Sequence, residues 1–281
     1  MDGSRDRSDV MRATRWLAAF IIPFLILAIL ALLGFPDDTR DNFAWNIQPP
    51  LTAMVLGATY AAGIWFFVRV IQAQRWRQVR VGFPAIGSFA TLLGITTFLH
   101  WDRFIHQNPG FVGWTALYIT TPFLVFGAWF LQRRIDSDRH LPESTLPPPV
   151  RLVLGALGAG EIALAVALFV APTDIGQVWP WTVTALTGRS LAAIFTLSGV
   201  VSLEIARDGR WSVARYLLEA QAIWLGVVLV SIVRDLADFH FTILGWMFLV
   251  GLGALLAFTA GVYIAFLRLT SGRVVQMGAN S

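Results

Sequence analysis

A chain of 281 residues that is 56% hydrophobic and only 14% charged falls far short of the roughly 25% charged residues of soluble domains, which excludes an ordinary soluble fold. Every basic residue is Arg and there is no Cys, so no side-chain amine can form a Schiff base, and disulfides, thiolate metal sites and cysteine nucleophiles are excluded too. The net charge of +4 is gathered at segment ends, where orientation in a bilayer accounts for it better than a nucleic-acid partner.

Apolar runs near 20 residues cross a hydrocarbon core of about 30 Å as helices. Eight such runs follow in chain order, at 16–35, 50–70, 82–100, 112–131, 152–171, 188–205, 215–233 and 241–267. The first follows a basic start but is long and lacks a small-x-small cleavage site, so it reads as a retained helix rather than a signal peptide. Pro49-Pro50 suits the start of the second, and Pro23, Pro84 and Pro122 suit kinks in or near others. The sixth is short if it begins at Gly188, with Trp179-Pro180-Trp181 before it at the membrane interface, as the Trp residues bordering other segments would also be.

Alternate connections differ sharply in Arg. One set holds Arg5, Arg7, Arg12, Arg15, Arg69, Arg75, Arg77, Arg80, Arg133, Arg134, Arg139, Arg151, Arg207, Arg210, Arg215, Arg268 and Arg273, while the other holds only Arg40, Arg103, Arg189 and Arg234. The positive-inside rule therefore expects an all-α polytopic protein with both termini in the cytoplasm.

The two halves also resemble each other. Near an offset of 136, Pro36 matches Pro172, Asp38 matches Asp174 and Trp45 matches Trp181. At 135, Leu51-Thr52 matches Leu186-Thr187, Arg75-Trp76 matches Arg210-Trp211, Arg80 matches Arg215 and Phe104 matches Phe239. At 132, Gly113-Trp114 matches Gly245-Trp246. The expected organisation is a four-helix repeat over 1–131, a polar cytoplasmic linker over 132–150 ending in Pro147-Pro148-Pro149, and a second repeat over 151–281. Tandem copies with an even number of spans share one orientation, and ligand sites in such proteins form between the halves.

Two polar stretches close the third and seventh helices: His100-Trp101-Asp102-Arg103-Phe104-Ile105-His106 and Arg234-Asp235-Leu236-Ala237-Asp238-Phe239-His240. If they converge, His100, Asp102, His106, Asp235, Asp238 and His240 are an inventory for zinc, manganese or iron, and His alone could ligate haem. The same inventory suits a proton relay or an anion clamp, with Arg234 and Asp235 as substrate or ion candidates. The plain alternative is pairing within each stretch, Asp102 with His106 and Arg234 with Asp238, at i,i+4 spacing.

Glu161 stands mid-span in Gly155-Ala156-Leu157-Gly158-Ala159-Gly160-Glu161-Ile162, and its counterpart in the first half is Ile26. An ionised side chain at that depth costs several kcal/mol by most estimates, so it is expected to face the bundle interior, while the glycines let another helix approach. It could accept a proton or ligate a cation, or be a neutral acid bonded to a Thr, Ser or carbonyl. Arg189, opening the sixth helix, could bind an anionic headgroup or carboxylate, or pair with an outer Asp. Glu219 has Arg215 four residues earlier and Glu204 lies near Arg207, so both read as structural. There is no phosphate-binding Gly-rich loop, zinc-protease motif or nucleophile elbow.

Phe43-Ala44-Trp45-Asn46-Ile47-Gln48-Pro49-Pro50-Leu51-Thr52-Ala53, the His100–Phe104 run, and Trp179-Pro180-Trp181 leading to Leu186-Thr187-Gly188-Arg189 together resemble a group of multi-pass membrane proteins of GC-rich bacteria. The resemblance implies a bacterial cytoplasmic membrane and carries no activity. Three functions stay open: binding or transport of a small solute or ion between the halves, a metal- or haem-binding enzyme or electron-transfer protein, and an accessory subunit of a homo-oligomer or larger membrane complex.

Overall fold

The computed structural model describes residues 9–133 and 143–279, with side chains through residue 268. The middle of the linker expected at 132–150, residues 134–142, therefore lies outside the described residues, as do Arg5, Arg7, Arg134 and Arg139. Among the described residues there is no β-strand, and eight helices are long and apolar enough to cross a membrane. They are α1 (Arg12–Gly34), α2 (Pro50–Gln72), α3 (Gly82–Leu99), α4 (Pro109–Arg133), α5 (Pro148–Val170), α6 (Ala185–Asp208), α7 (Trp211–Arg234) and α8 (Ile243–Ala279). The end of the bundle where α1 begins is called proximal below, and the opposite end distal.

Local chemistry sets the ends of these helices. Proline, whose fixed φ and missing N–H suit a first turn, opens α2, α4 and α5. In α6 a reciprocal Thr pair forms the cap: Thr184 N donates to Thr187 Oγ1 at 2.7 Å, and Thr187 N to Thr184 Oγ1 at 3.3 Å. That cap starts α6 at Ala185, not Gly188, so the sixth span has 24 residues and is not short. Its far end is Gly209 at φ 69°, a left-handed position that favours glycine, and α7 begins two residues later. Proximal ends also extend beyond the apolar windows, with α1 beginning at Arg12, α5 at Pro148 and α7 at Trp211.

Four helices are inner and four outer. The central pair α2 and α6 touch; α2 packs against α1 and α7, and α6 against α5 and α3, while α4 lies on α3 and α8 on α7. Burial follows this order, from 67% of the apolar window of α2 to 17% of that of α8. The surface of the outer helices is apolar, with Phe123, Leu152 and Ile243 each more than 70% exposed. An apolar surface this extensive belongs in lipid rather than water. The two halves interleave: α3 and α4 lie on the α6–α5 side, and α1 and α2 on the α7–α8 side.

Backbone contacts recur at a spacing of 135 or 136 residues. At the proximal end Asp9 bridges Arg75 and Thr145 bridges Arg210, with Val10 N donating to Gln74 O at 3.4 Å and Leu146 N to Gly209 O at 2.7 Å. Arg15 donates to Ala73 O at 2.9 Å, covering the C-terminus of α2; Arg151 donates to Ala206 O at 2.8 Å and Arg207 O at 3.1 Å, covering that of α6. At the distal end Ile105 N donates to Ala44 O at 2.9 Å and His240 N to Pro180 O at 2.7 Å.

The tryptophans do not form the expected interface belt throughout. Trp16 and Trp246 are exposed, but Trp45, Trp76, Trp114, Trp179, Trp181 and Trp211 are buried. Trp179 and Trp181 pack edge-on against Phe248, and Trp181 Nε1 donates to Thr52 Oγ1 on α2 at 2.9 Å. These large rings fill space between the helices near the bundle ends.

Candidate functional site

Where α2, α3, α6 and α7 meet, a cavity of about 90 Å³ remains. Small residues create it, with Gly63, Gly82, Ala85 and Ala220 in its wall. The lining is mostly apolar; Thr59, Ser198, Gln221 and Trp224 are its polar members. Trp224 Nε1 donates to Thr59 Oγ1 at 3.0 Å, and Thr59 donates on to Val55 O at 3.2 Å.

Ser198 connects this cavity to Glu161. Its hydroxyl donates to Glu161 Oε1 at 2.8 Å, and Ser202, one turn further along α6, donates to Oε2 at 3.4 Å. The carboxyl reaches α6 because α5 and α6 run in close contact. A Cβ at Gly158 would stand 2.8 Å from Gly199 O, and one at Gly199 would stand 3.0 Å from Gly158 O. On its other side Glu161 borders a shallow outward groove with Val153, Ala156, Leu157, Gly160 and Leu164. The acid thus sits between the bundle surface and a serine of the central cavity.

Two further spaces adjoin the cavity. A chamber of about 50 Å³ shares Thr59, Gly63, Ile86 and Leu197 with it. A cleft of about 490 Å³ between α1 and α4 shares Leu25, Tyr60, Leu117 and Tyr118 with that chamber. Tyr60 and Tyr118 stand between chamber and cleft, their hydroxyls 2.8 Å apart.

The distal polar stretches do not converge. α3 packs on α6 and α7 on α2, so each stretch caps a different helix pair. His100 Nε2 lies 2.7 Å from Arg189 Nη1, and Arg189 Nε donates to Phe169 O at 3.1 Å. Burial, and then the Arg189 guanidinium, hold the His100 imidazole below its ordinary range, against a smaller upward pull from Asp102. Arg189 therefore pairs with a histidine and a carbonyl rather than an outer Asp. Asp102 is exposed and faces Arg103 at 3.3 Å; His106 Nε2 lies 3.0 Å from Trp101 O. On the other side Arg234 donates to Leu33 O. Asp235 is pushed up by burial, by its hydrogen bond to Asp238 and by the charges of Asp238 and Asp37, and Asp238 Oδ2 accepts weakly from Leu51 N at 3.5 Å.

Neither expected i,i+4 pair forms, Asp102 with His106 or Arg234 with Asp238. The α-helices end at Leu99 and Arg234, and i,i+4 neighbours meet only on continuous helix. Among the described residues no three of His, Asp and Glu stand close enough to hold a metal ion. The set His100, Asp102, His106, Asp235, Asp238 and His240 is thus not assembled as a metal centre. His240 enters this region through its backbone bond to Pro180.

Glu219 is far more connected than its Arg215 neighbour suggests. Its carboxylate accepts from Arg69 Nε at 3.1 Å, Trp65 Nε1 at 3.1 Å, Arg215 Nε at 3.2 Å and Tyr263 Oη at 2.6 Å. Arg69 Nη2 adds a contact at 3.0 Å. Only Arg215 is near in sequence; the others arrive on α2 and α8, which periodicity within α7 does not reveal. Asp208 is a second proximal node, bound by Arg80 and by Arg210 at 2.7 and 2.8 Å. Glu204 pairs with Arg207 at 3.4 Å, as its spacing suggests. Compared with protein-family models, curated proteins and solved structures, the chain matches none.

Proposed function

We propose that this chain is a multi-pass protein of the bacterial cytoplasmic membrane, built as two tandem four-helix repeats, that binds and carries a small solute in a cavity between its halves. Glu161 is the acid beside the site, exchanging a proton or cation as the solute moves. The proximal end, which holds most of the Arg, is cytoplasmic, and the termini lie there.

The composition of the cavity wall supports the repeat. Thr59 and Ile194, Gly63 and Ser198, Gly82 and Leu217, and Ile86 and Gln221 are each 135 residues apart, and all eight line it. A cavity lined by equivalent positions of both halves lies on a pseudo-two-fold axis, where parallel repeats place their ligand. The matched helix pairings and the matched Arg15 and Arg151 caps point the same way.

The observation that carries the functional reading is Ser198, which lines the cavity and donates to Glu161 Oε1 at 2.8 Å. Mid-span acids in membrane bundles mark ion and proton pathways, and this one is a single hydroxyl from a space large enough for part of a ligand. The mostly apolar wall favours an uncharged solute, with the charge moving separately through the acid.

The test is solute-driven proton movement in proteoliposomes loaded with a pH-sensitive dye, across a panel of uncharged and weakly acidic small molecules. At least one is expected to drive proton movement in the wild type and none in Glu161→Gln at equal reconstitution. Solute movement that proceeds unchanged in Glu161→Gln refutes the role of the acid.

A further inference from the structure

The central cavity adjoins two further spaces on one side. Cavity, chamber and cleft form a row through shared walls, first Thr59 and Leu197, then Tyr60 and Tyr118. The row ends between α1 and α4, which touch only sparsely. The cleft runs from Pro109, at the start of α4, down to Tyr118, about 14 Å at the rise of an α-helix. The cleft lies over the distal half of the bundle, and most of its wall is apolar or aromatic.

The two tyrosines at the inner end carry a hydrogen-bonding deficit. Tyr60 and Tyr118 are 3% and 5% exposed, and each has one proton to donate. Among the described residues their one hydrogen bond is to each other. Whichever phenol accepts keeps its own proton without an acceptor, at a point bordering both chamber and cleft. A buried donor left unsatisfied costs roughly what a lost hydrogen bond costs, and an oxygen-bearing ligand at that point would remove the cost.

Resting on the reading of the central cavity as a solute site, we propose that the solute is a lipid-soluble, chain-bearing molecule whose head is an uncharged oxygen acceptor. It enters sideways between α1 and α4, and the spare proton of the Tyr60–Tyr118 pair holds its head. Isoprenoid alcohols and quinones share this chemistry. An ordinary phospholipid does not, since its charged head stays at the interface and would leave only tails at the tyrosines.

The pair also predicts an unusual pattern of variants. Tyr60→Phe leaves Tyr118 with a free proton, and Tyr118→Phe leaves Tyr60 with one, so each single variant still holds an acceptor. Only the double variant lacks a donor. Gly113 offers an independent handle: it lines the cleft, and a Cβ there meets nothing within 4 Å. Gly113→Phe would put an aromatic ring at the entrance.

The experiment is photocrosslinking of the full-length protein in liposomes, with crosslinks mapped by mass spectrometry. Three diazirine probes are used: a fifteen-carbon isoprenoid alcohol, a short-chain benzoquinone and a phosphatidylcholine labelled in its tails. The alcohol or the quinone, whichever binds, is expected to label peptides of both the cleft and the central cavity, competed by its unlabelled form. Labelling should change less than twofold in either Tyr→Phe variant, fall about fivefold in the double variant, and vanish from the cavity in Gly113→Phe. Cavity labelling that survives Gly113→Phe overturns the lateral route while leaving the cavity reading intact. A phosphatidylcholine probe that labels the tyrosine peptides as strongly overturns the ligand class. No labelling of the cavity by either oxygen-headed probe overturns the proposal outright, whereas Glu161→Gln tests the cavity's role separately.

Discussion

Replacing Glu219 by Gln keeps the shape of the side chain and removes its charge. At an effective dielectric of about 20, unit charges at the 3.0 Å of Arg69 Nη2 and Glu219 Oε2 attract by roughly 5–6 kcal/mol, much of it offset by desolvation. The Glu219 side chain is 10% exposed and that of Arg69 23%, so water screens this pair little, whereas Arg215 at 44% contributes less. Removing one member of a buried pair leaves the other uncompensated, at a cost of about 3–5 kcal/mol. Arg69 stacks over Trp65 at 4.3 Å, which keeps it in place after the change and holds the loss near the lower figure. Glu219→Gln is thus expected to destabilise the bundle by about 3 kcal/mol, and Arg69→Gln with Glu219→Gln to cost less than the sum of the two. Reversible unfolding in mixed micelles, run as a double-mutant cycle, measures both quantities. A loss below about 1 kcal/mol, or additive single changes, would show that the α2–α7 contact does not depend on this ion pair.

Gly158→Ala places a Cβ 2.8 Å from Gly199 O, backbone that cannot give way, and is expected to cost about 1–3 kcal/mol; Gly160→Ala, where nothing lies within 4 Å, is expected to be neutral or stabilising. Equal effects of the two on thermal unfolding would contradict close packing of α5 on α6. His100 is held below its ordinary value of 6.5, so the unfolded chain binds the extra proton first; its contribution is complete above that pH and declines as pH falls below it. The melting temperature should therefore drop on acidification through that window in the wild type and less in His100→Gln, and parallel curves would rule out His100 as the cause.

The eight spans were legible because a bilayer demands about 20 apolar residues in sequence, a property local to each segment. Glu161 was legible for the same reason: a carboxyl amid small and apolar residues stands out on one helix. Its partners were not, since Ser198 and Ser202 lie on α6 and become neighbours only through the Gly158–Gly199 contact. The distal His and Asp residues show the opposite error. Their composition suggested convergence, but α3 seats on α6 and α7 on α2, which separates the two stretches. Helix pairing, on which the site depends, is written in side-chain shape across the two halves rather than in any one segment.

On the proposed repeat, features that recur in both halves are separable from those that occur once. Arg15 and Arg151 do the same capping work, and the Val10 and Leu146 backbone contacts do the same tethering; features present twice belong to the scaffold. Glu161 occurs once: on that proposed repeat its counterpart is position 26, an Ile that is 45% exposed on the bundle surface. A scaffold that is complete with Ile at one site does not need a carboxyl at the other, and burying one carries a cost. Glu161→Ile is therefore expected to leave stability within about 1 kcal/mol of the wild type or to raise it, because hydrogen bonds between membrane helices average only about 0.6 kcal/mol and Ser198 can bond back to the carbonyl one turn earlier. The same variant should lose solute-driven proton movement in proteoliposomes. A loss of more than about 2 kcal/mol in micelle unfolding, well beyond those two hydrogen bonds, would make Glu161 a clamp between α5 and α6 and remove the physical ground for its role in transport.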